Sequence, residues 1–141
     1  MRRRLLLLAI LVPIVAADPR QEVYDLLGSM ASGLSEGNPS QFLEAFDRSM
    51  KGYSELAANV RAVVQQSDVL SAIDLVDDAG DDQKRTVRVD WLLQLGDKQN
   101  SASVVRRQKT IEVKLEKQKR KWRVVSLEPR DFFAPLRVNH F

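Results

Sequence analysis

Few side chains in this sequence are able to carry acid–base or nucleophilic chemistry. The chain has no cysteine, which excludes disulfides, thiolate nucleophiles and cysteine-bound metals. Its single histidine, His140, lies one residue from the C-terminus, so a histidine metal site or a Ser-His-Asp triad is not expected. The remaining candidates for an acid, a base or an oxyanion donor are Tyr24, Asp47 and Asp90.

Each of these three residues also has a structural interpretation, which we favour. Tyr24 lies at the edge of an apolar helical stripe, where packing explains a tyrosine as well as a site does. Asp47 follows a predicted helix and is placed to cap or solvate the end of that helix. Asp90 is expected on the solvent-facing side of a strand, where ion pairing competes with general-base work.

The first 17 residues have the pattern of an export signal. Three arginines at positions 2–4 form a positive region, and Leu5–Ala17 is an apolar run of 13 residues. That run is shorter than the roughly 20 residues needed to span a bilayer. Val15 and Ala17 place small residues where signal peptidase reads them, before Asp18. We expect a signal peptide over 1–17, a periplasmic or secreted mature chain without a stable membrane span and, as the alternative, an uncleaved leader that tethers the domain.

Removal of the leader changes the electrostatic argument. The formal net charge of +3 comes wholly from the leader, and the mature chain has 19 basic and 19 acidic residues. A nucleic-acid-binding surface is therefore not expected. Residues 18–83 carry a net charge of −9, however, and residues 84–141 carry +9. We expect acidic helices beside a basic sheet, so that the two fields cancel, in preference to a basic face that binds a partner.

The first half of the mature chain has the pattern of helices. Apolar residues recur at steps of three and four from Val23 to Leu34, which predicts an amphipathic helix with Asp18 as its N-cap. Gly37 is placed to end this helix, and Asn38 to cap a second one with a proline at its first position. The second helix is expected to carry three apolar residues inward: Phe42, Leu43 and Phe46.

From Asp68 onward the period of the apolar residues changes from about 3.6 to about 2 residues, which predicts strands. The elements predicted here are a third helix from Tyr53 to near Ser67, and strands at about Val69–Asp77, Lys84–Leu95, Val104–Lys117 and Lys121–Glu128. Short connections make neighbouring strands antiparallel, and the alternation leaves one face buried and one face in solvent.

Two segments resemble the nuclear transport factor two-like (SnoaL-like) superfamily. Ser32–Asp47 is similar to the family's ALxxGDxdgxlxlF segment, and Lys121–Leu127 is similar to its GxWrIv last strand. The residues of the first segment that are in register are Leu34, Gly37, Leu43 and Phe46. One feature departs from the family, because its short strand between helices two and three is not apparent near Met50–Tyr53.

The resemblance implies an α+β fold in which three N-terminal helices pack on a curved, four-stranded antiparallel sheet to form a cone. We expect one such domain over 18–135, followed by a loose tail over 136–141. In the steroid-isomerase branch of the family, a tyrosine of helix one binds the developing oxyanion and a carboxylate after helix two is the base. The tyrosine position falls at Met30, and the position of the base falls near Ser54, where the neighbouring Glu55 would be a poor substitute for that base. The resemblance therefore implies the cone-shaped fold without the catalytic residues of this branch.

Six residues are expected to line the cone, either as an open pocket or as a filled core. They are Tyr24, Met30, Phe42, Phe46, Trp91 and Trp122. Core packing is the favoured interpretation, and an open cone would suit a lipid-like or flat aromatic ligand. Phe132 and Phe133 are expected to plug one end of the cone or to offer a small partner surface.

The sequence therefore predicts an exported module that binds a small molecule or a protein, without catalysis of its own and without a cofactor or metal. Its expected partners are an apolar small molecule, another protein, or a second copy bound through the sheet face. Two alternatives stay open. One is a cavity enzyme of the isomerase, cyclase or dehydratase type, and the other is an envelope assembly domain tethered by its leader.

Overall fold

A computed structural model describes residues 18–137, in which three helices precede a four-stranded sheet. The helices are α1 (Pro19–Ser35), α2 (Pro39–Leu43) and α3 (Tyr53–Gln66), and a 3₁₀ turn (Arg130–Phe133) follows the last strand. The strands are β1 (Ser67–Gly80), β2 (Lys84–Asp97), β3 (Val104–Gln118) and β4 (Lys121–Glu128). Their order in the sheet is β1-β2-β3-β4, and each neighbouring pair is antiparallel. The predicted α+β class and strand order are confirmed. The expected signal peptide, and the tail from 138 onward, lie outside the described residues.

The helix starts follow the capping residues that the sequence indicates. The N–H of Arg20 donates to the Asp18 carboxylate over 3.0 Å, and the N–H of Gln41 donates to the Asn38 side chain over 3.3 Å. Gly37 ends the first helical segment at a φ of +70°, a conformation that glycine adopts without steric cost.

The second helix is shorter than predicted. It ends at Leu43, and the chain then pairs with β4 in the parallel direction: Val124 donates to the carbonyl of Ala45 over 2.8 Å, and Asp47 donates to the carbonyl of Val124 over 2.9 Å. Phe46 is therefore buried from a strand-like bridge and not from a helix. This bridge takes the place of the short strand that was not apparent near Met50–Tyr53, and it lies earlier in the chain.

The sheet buries one face under the helices. Alternate side chains of β2 are at most 1% exposed and form the centre of the core: Val87, Val89, Trp91, Leu93 and Leu95. Between them, Arg88 lies opposite Glu112 of β3 on the solvent-facing side, at 3.4 Å. Strand β1 runs further than predicted because the β1–β2 turn is tight: Asp81 donates to the carbonyl of Lys84 over 2.9 Å.

The chain is held in place as far as Arg137. Its N–H donates to the side-chain oxygen of Gln66 over 3.0 Å, its carbonyl accepts from the amide nitrogen of the same side chain over 2.8 Å, and its guanidinium pairs with Asp97. The start of the segment expected as a loose tail is thus attached to the end of α3. Within residues 18–137, no helix is both long and apolar enough to cross a membrane.

Candidate functional site

The interior of the cone is filled by aromatic side chains. The ring centroid of Phe42 lies 5.2 Å from Phe46, 6.2 Å from Trp91 and 5.2 Å from Phe133. Trp91 and Phe133 meet edge to face at 5.1 Å. Phe42 and Trp91 have no exposed surface and Met30 has none either. Five of the six residues expected to line the cone lie in one buried core cluster: Met30, Phe42, Phe46, Trp91 and Trp122.

Polar contacts hold this cluster in place from two sides. The indole N–H of Trp91 donates to the hydroxyl of Ser71 over 2.9 Å, which satisfies the one polar atom of that side chain. Arg107 donates to the carbonyl of Phe132 over 3.0 Å and to that of Ala134, so it holds the 3₁₀ turn that carries Phe133 inward. Partial burial lowers the pKa of the Arg107 guanidinium from its ordinary value. Of the two roles expected for Phe132 and Phe133, the plug is the one that this geometry matches.

The candidate acid–base residues do not come together. Tyr24 is 40% exposed on α1, beside the helix side of the sheet. Asp90 lies on the opposite, solvent-facing side, where it accepts a hydrogen bond from the Thr110 hydroxyl over 2.6 Å. Ser54 and Glu55 are exposed at the start of α3. The donor and the base that Tyr24 and Asp90 would supply are thus separated by the sheet.

The hydrogen bonds of Asp47 indicate a structural role for this carboxylate. Its carboxylate accepts from the Gln118 side chain over 2.8 Å and from the hydroxyl and the N–H of Ser49 over 2.7 and 2.9 Å. These hydrogen bonds, that of Gln118 first, lower the pKa of Asp47 from 3.8 to about 2. A carboxylate held this firmly in its ionised form is a poor proton acceptor near neutral pH.

Two grooves lie on the surface: Tyr24, the sixth residue expected in the cone, lines the first, and the buried Trp122 forms part of the wall of the second. The first, which we call the edge groove, has a volume of about 460 Å³ and lies between the start of α1 and strands β1 and β2. Its walls include Val23, Tyr24, Leu75 and Val87, and Asp78 stands at its rim. Asp78 is paired with the buried guanidinium of Arg85 at 2.8 Å.

The second groove, which we call the Trp122 groove, has a volume of about 560 Å³ and lies between α1, α2 and β4. Trp122 is 6% exposed and its indole N–H has no hydrogen-bond partner among the described residues. The walls of this groove carry opposite charges, with Glu22, Asp25 and Glu44 facing Arg120, Lys121 and Arg123. The Nζ of Lys117 lies 5.9 Å from the centroid of the Trp122 ring, within reach of a cation–π contact.

Two turns of opposite charge lie side by side near these grooves. The β1–β2 turn region, residues 77–82, contains four aspartates, and the β3–β4 turn consists of Lys119 and Arg120 between further lysines. The N–H of Lys117 donates to the carbonyl of Gln83 over 2.8 Å, so the two turns share one end of the sheet. Lys119 and Arg120 have φ of 48° and 71°, as both central residues of a type I′ turn require. Sequence reasoning predicts a short turn here but not its type, since Asn-Gly is the usual signal.

The fold is shared with solved structures of low sequence identity. A nuclear transport factor two-like superfamily protein from Salmonella enterica is 14% identical, with a TM-score of 0.65 over 86% of this chain and 94% of that one. A nuclear transport factor two-like protein of unknown function from Shewanella oneidensis is 11% identical, with a TM-score of 0.64 over 78% and 97%. A conserved protein from Planctomyces limnophilus is 6% identical, with a TM-score of 0.71 over 77% and 91%.

No protein-family model matches the chain, and no characterised protein matches it at a significant level. The chain has the nuclear transport factor two-like fold, as the resemblance in the sequence implies. Identities this low establish the fold alone, and function has to be argued from the surface and the interior of this chain.

Proposed function

We propose that this chain is an exported protein-interaction module with no catalysis of its own. The observation that carries the proposal is the filled cone, in which Phe42, Trp91 and Phe133 occupy the volume that an apolar ligand would need. A ligand would have to displace this packing, and lost packing of large aromatic residues costs several kcal/mol. A protein partner binds at the surface and does not have to enter the cone. Binding of a protein is therefore favoured over storage of a small molecule.

The arrangement of polar groups supports the absence of catalysis. Acid–base catalysis needs a titratable group within hydrogen-bond reach of the reacting atom. Among the described residues, the buried polar or charged ones are Ser67 and Arg85, and Arg85 is neutralised by Asp78. Met30, at the position of the family's oxyanion donor, is fully buried and cannot donate.

Export rests on the sequence of the first 17 residues, with their arginines, apolar run and small residues before Asp18. The compartment that follows is the periplasm or the exterior. If the leader is retained, the same module would be an envelope assembly domain held at the membrane.

Native mass spectrometry of the exported protein tests the filled cone. We expect the mass of the chain or of its dimer with no added ligand mass, because the aromatic cluster fills the cone. A Phe133→Ala variant is the matched control, since it opens an apolar cavity that should take up benzene, as engineered apolar cavities do. A stoichiometric ligand retained by the wild-type chain would contradict the proposal.

Turnover assays test the cavity-enzyme alternative. A panel of ketosteroid, epoxide and polyketide-like substrates should give no turnover above background. Wild-type turnover that Tyr24→Phe or Asp90→Asn reduces by about 100-fold or more, the scale of a general acid–base group, would establish catalysis and sink this proposal.

The solvent-facing side of the sheet supports a second copy as one possible partner. Leu70 of β1 is 51% exposed and Val104 of β3 is 62% exposed on this side. Leu92 of β2 lies between these strands on the same face, and the paired charges of Arg88 and Glu112 lie further along that face. We propose a homodimer through this face, and sedimentation of wild type against Leu70→Asp with Val104→Asp would detect its loss.

A further inference from the structure

We propose that one edge of β1 binds an extended, cationic segment of a partner protein as a fifth strand of the sheet. This inference rests on the proposed interaction function and assigns the surface and the chemistry of the partner. β1 pairs with β2 on one side and is the first strand of the sheet order. Strand addition at such an edge uses main-chain hydrogen bonds for affinity and side-chain pockets for specificity.

The unpaired backbone groups of β1 can be located from one contact. The Ser35 hydroxyl bonds both the N–H and the carbonyl of Ser71, at 2.8 and 3.2 Å, so these groups point away from β2. Because alternate residues of an antiparallel strand share an orientation, the backbone groups of Ile73 and Leu75 point the same way. A β-bulge at Val76 then shifts the register between Leu75 and Asp77, so the regular alternation ends at Leu75. Within residues 18–137, the N–H and carbonyl groups of Ile73 and Leu75 have no hydrogen-bond partner on the side away from β2. We call Ile73–Asp77, which begins beyond the Ser35 contact, the open edge.

Exposed apolar side chains gather at the open edge. Of the five large hydrophobic residues that are exposed in the described part of the chain, Leu75 and Val76 lie on it and Tyr24 lies beside it. Leu75 and Tyr24 also wall the edge groove of about 460 Å³. A strand laid along the open edge would cover Val76 and could place an apolar side chain in this groove. An exposed strand edge with apolar side chains invites pairing with another chain.

The negative charge of the open edge indicates a positively charged partner segment. No lysine or arginine occurs from 67 to 83, and Asp74 and Asp77 are exposed without a salt bridge to any residue in 18–137. Three cations lie nearby: Arg85 pairs with Asp78, Arg88 lies opposite Asp77 in the sheet but pairs with Glu112, and Arg20 lines the edge groove. Two copies of β1 would bring like charges together, which disfavours self-pairing. A segment that alternates lysine or arginine with apolar residues complements both the carboxylates and the groove.

Synthetic peptides test this proposal on the exported, intact protein. The probe is a capped peptide of about seven residues, a typical strand length, that alternates lysine and valine. We expect it to bind, and to slow amide hydrogen exchange at Ile73 and Leu75. A version with glutamate for lysine, and a version N-methylated along one edge, should each bind roughly tenfold more weakly, about the worth of a lost hydrogen bond or of repelling charges.

Variants of the chain separate the open edge from general acidity. Asp74→Asn with Asp77→Asn should weaken binding of the lysine–valine peptide roughly fivefold, as expected for two exposed charge pairs. Asp68→Asn is the matched control, because it removes an aspartate from the same strand on the other side of the Ser35 contact, and it should leave binding unchanged.

Several results would overturn the proposal. They are equal binding of the N-methylated peptide, an equal effect of Asp68→Asn, protection at a strand other than β1, or no binding at about 1 mM peptide, the weak end of specific recognition. In protein that retains its leader, a photo-crosslinker at position 76 that captures only residues 1–17 of the same chain would overturn it too. If native mass spectrometry shows that wild type retains a ligand, the proposed function fails even where the peptide binds, so the two failures are distinguishable.

Discussion

At the scale of single residues, the contact between Trp91 and Ser71 ties the core to the edge of the sheet. Ser71 accepts from the buried indole through its hydroxyl, while its backbone bonds Ser35. Removal of the hydroxyl leaves a buried N–H without a partner, and an unsatisfied buried donor costs about 1–3 kcal/mol. We predict this loss for Ser71→Ala in urea unfolding.

The matched control for this prediction is Ser35→Ala, which removes the two exposed hydrogen bonds between the Ser35 hydroxyl and the backbone of Ser71. It should cost no more than about 1 kcal/mol. Equal losses for the two variants would mean that the indole hydrogen bond contributes nothing of its own.

Asp47 gives a residue-scale prediction about pH. Hydrogen bonds from Gln118 and Ser49 lower its pKa from 3.8 to about 2 in the folded protein. Because the folded-state pKa is the lower one, the stabilisation is fully present above the unfolded pKa and is lost as the pH falls through about 2. The difference in Tm between wild type and Asp47→Asn should therefore shrink as the pH falls from about 4 to about 2. A difference that is constant over this range would contradict the assignment.

At the scale of elements, α1 and α2 form a helical hairpin whose apolar residues carry much of the stability. A side chain at Gly33 would meet the Cβ of Gln41 at 2.9 Å and the N of Phe42 at 3.1 Å, so the two helices pack backbone to backbone. Leu34 of α1 is 1% exposed, and Phe46, three residues beyond the end of α2, is 3% exposed. We predict losses of about 3–5 kcal/mol for Phe46→Ala and about 2–5 kcal/mol for Leu34→Ala. Urea midpoints measure both, and a loss below about 1 kcal/mol at both sites would exclude a buried hairpin.

Elements set by local signals were predicted well from the sequence. Asp18 and Asn38 start helices, and the alternation in β2 gives the buried face, because capping and periodicity are local properties. The extent of α2 was wrong, since the bridge from Phe46 to Val124 joins residues far apart in the chain. Whether the cone is open or filled was not predictable either. That depends on how Phe42, Trp91 and Phe133 fit one another in three dimensions, and the sequence shows only that all are large.

The positions of the outermost aromatic residues are harder to predict than the core. Both Tyr24 and Trp122 are expected in the cone; Trp122 is buried in the core cluster, whereas Tyr24 is 40% exposed and lines the edge groove. An amphipathic pattern shows that a residue is near a boundary but not on which side of it the residue lies. The open edge could not be foreseen, because it depends on where Ser35 meets β1.

At the scale of the whole molecule, processing of the leader is the first question. We predict that N-terminal sequencing of protein from the outer compartment begins at Asp18, because Val15 and Ala17 fit the residues that signal peptidase reads. Membrane-bound protein that begins at Met1 would instead support the tethered assembly domain.

The two adjacent turns give the chain an electric dipole that its net charge does not reveal. The aspartates of 77–82 and the cations around Lys119 and Arg120 share one end of the sheet, while the chain from Asp18 onward carries equal numbers of acidic and basic residues. Near a negatively charged surface, such a dipole turns its basic hairpin toward the surface and its acidic edge away, within a Debye length of about 8–10 Å. A neutral protein of this kind should be retained by both cation and anion exchangers at low salt and released from both together as the salt rises.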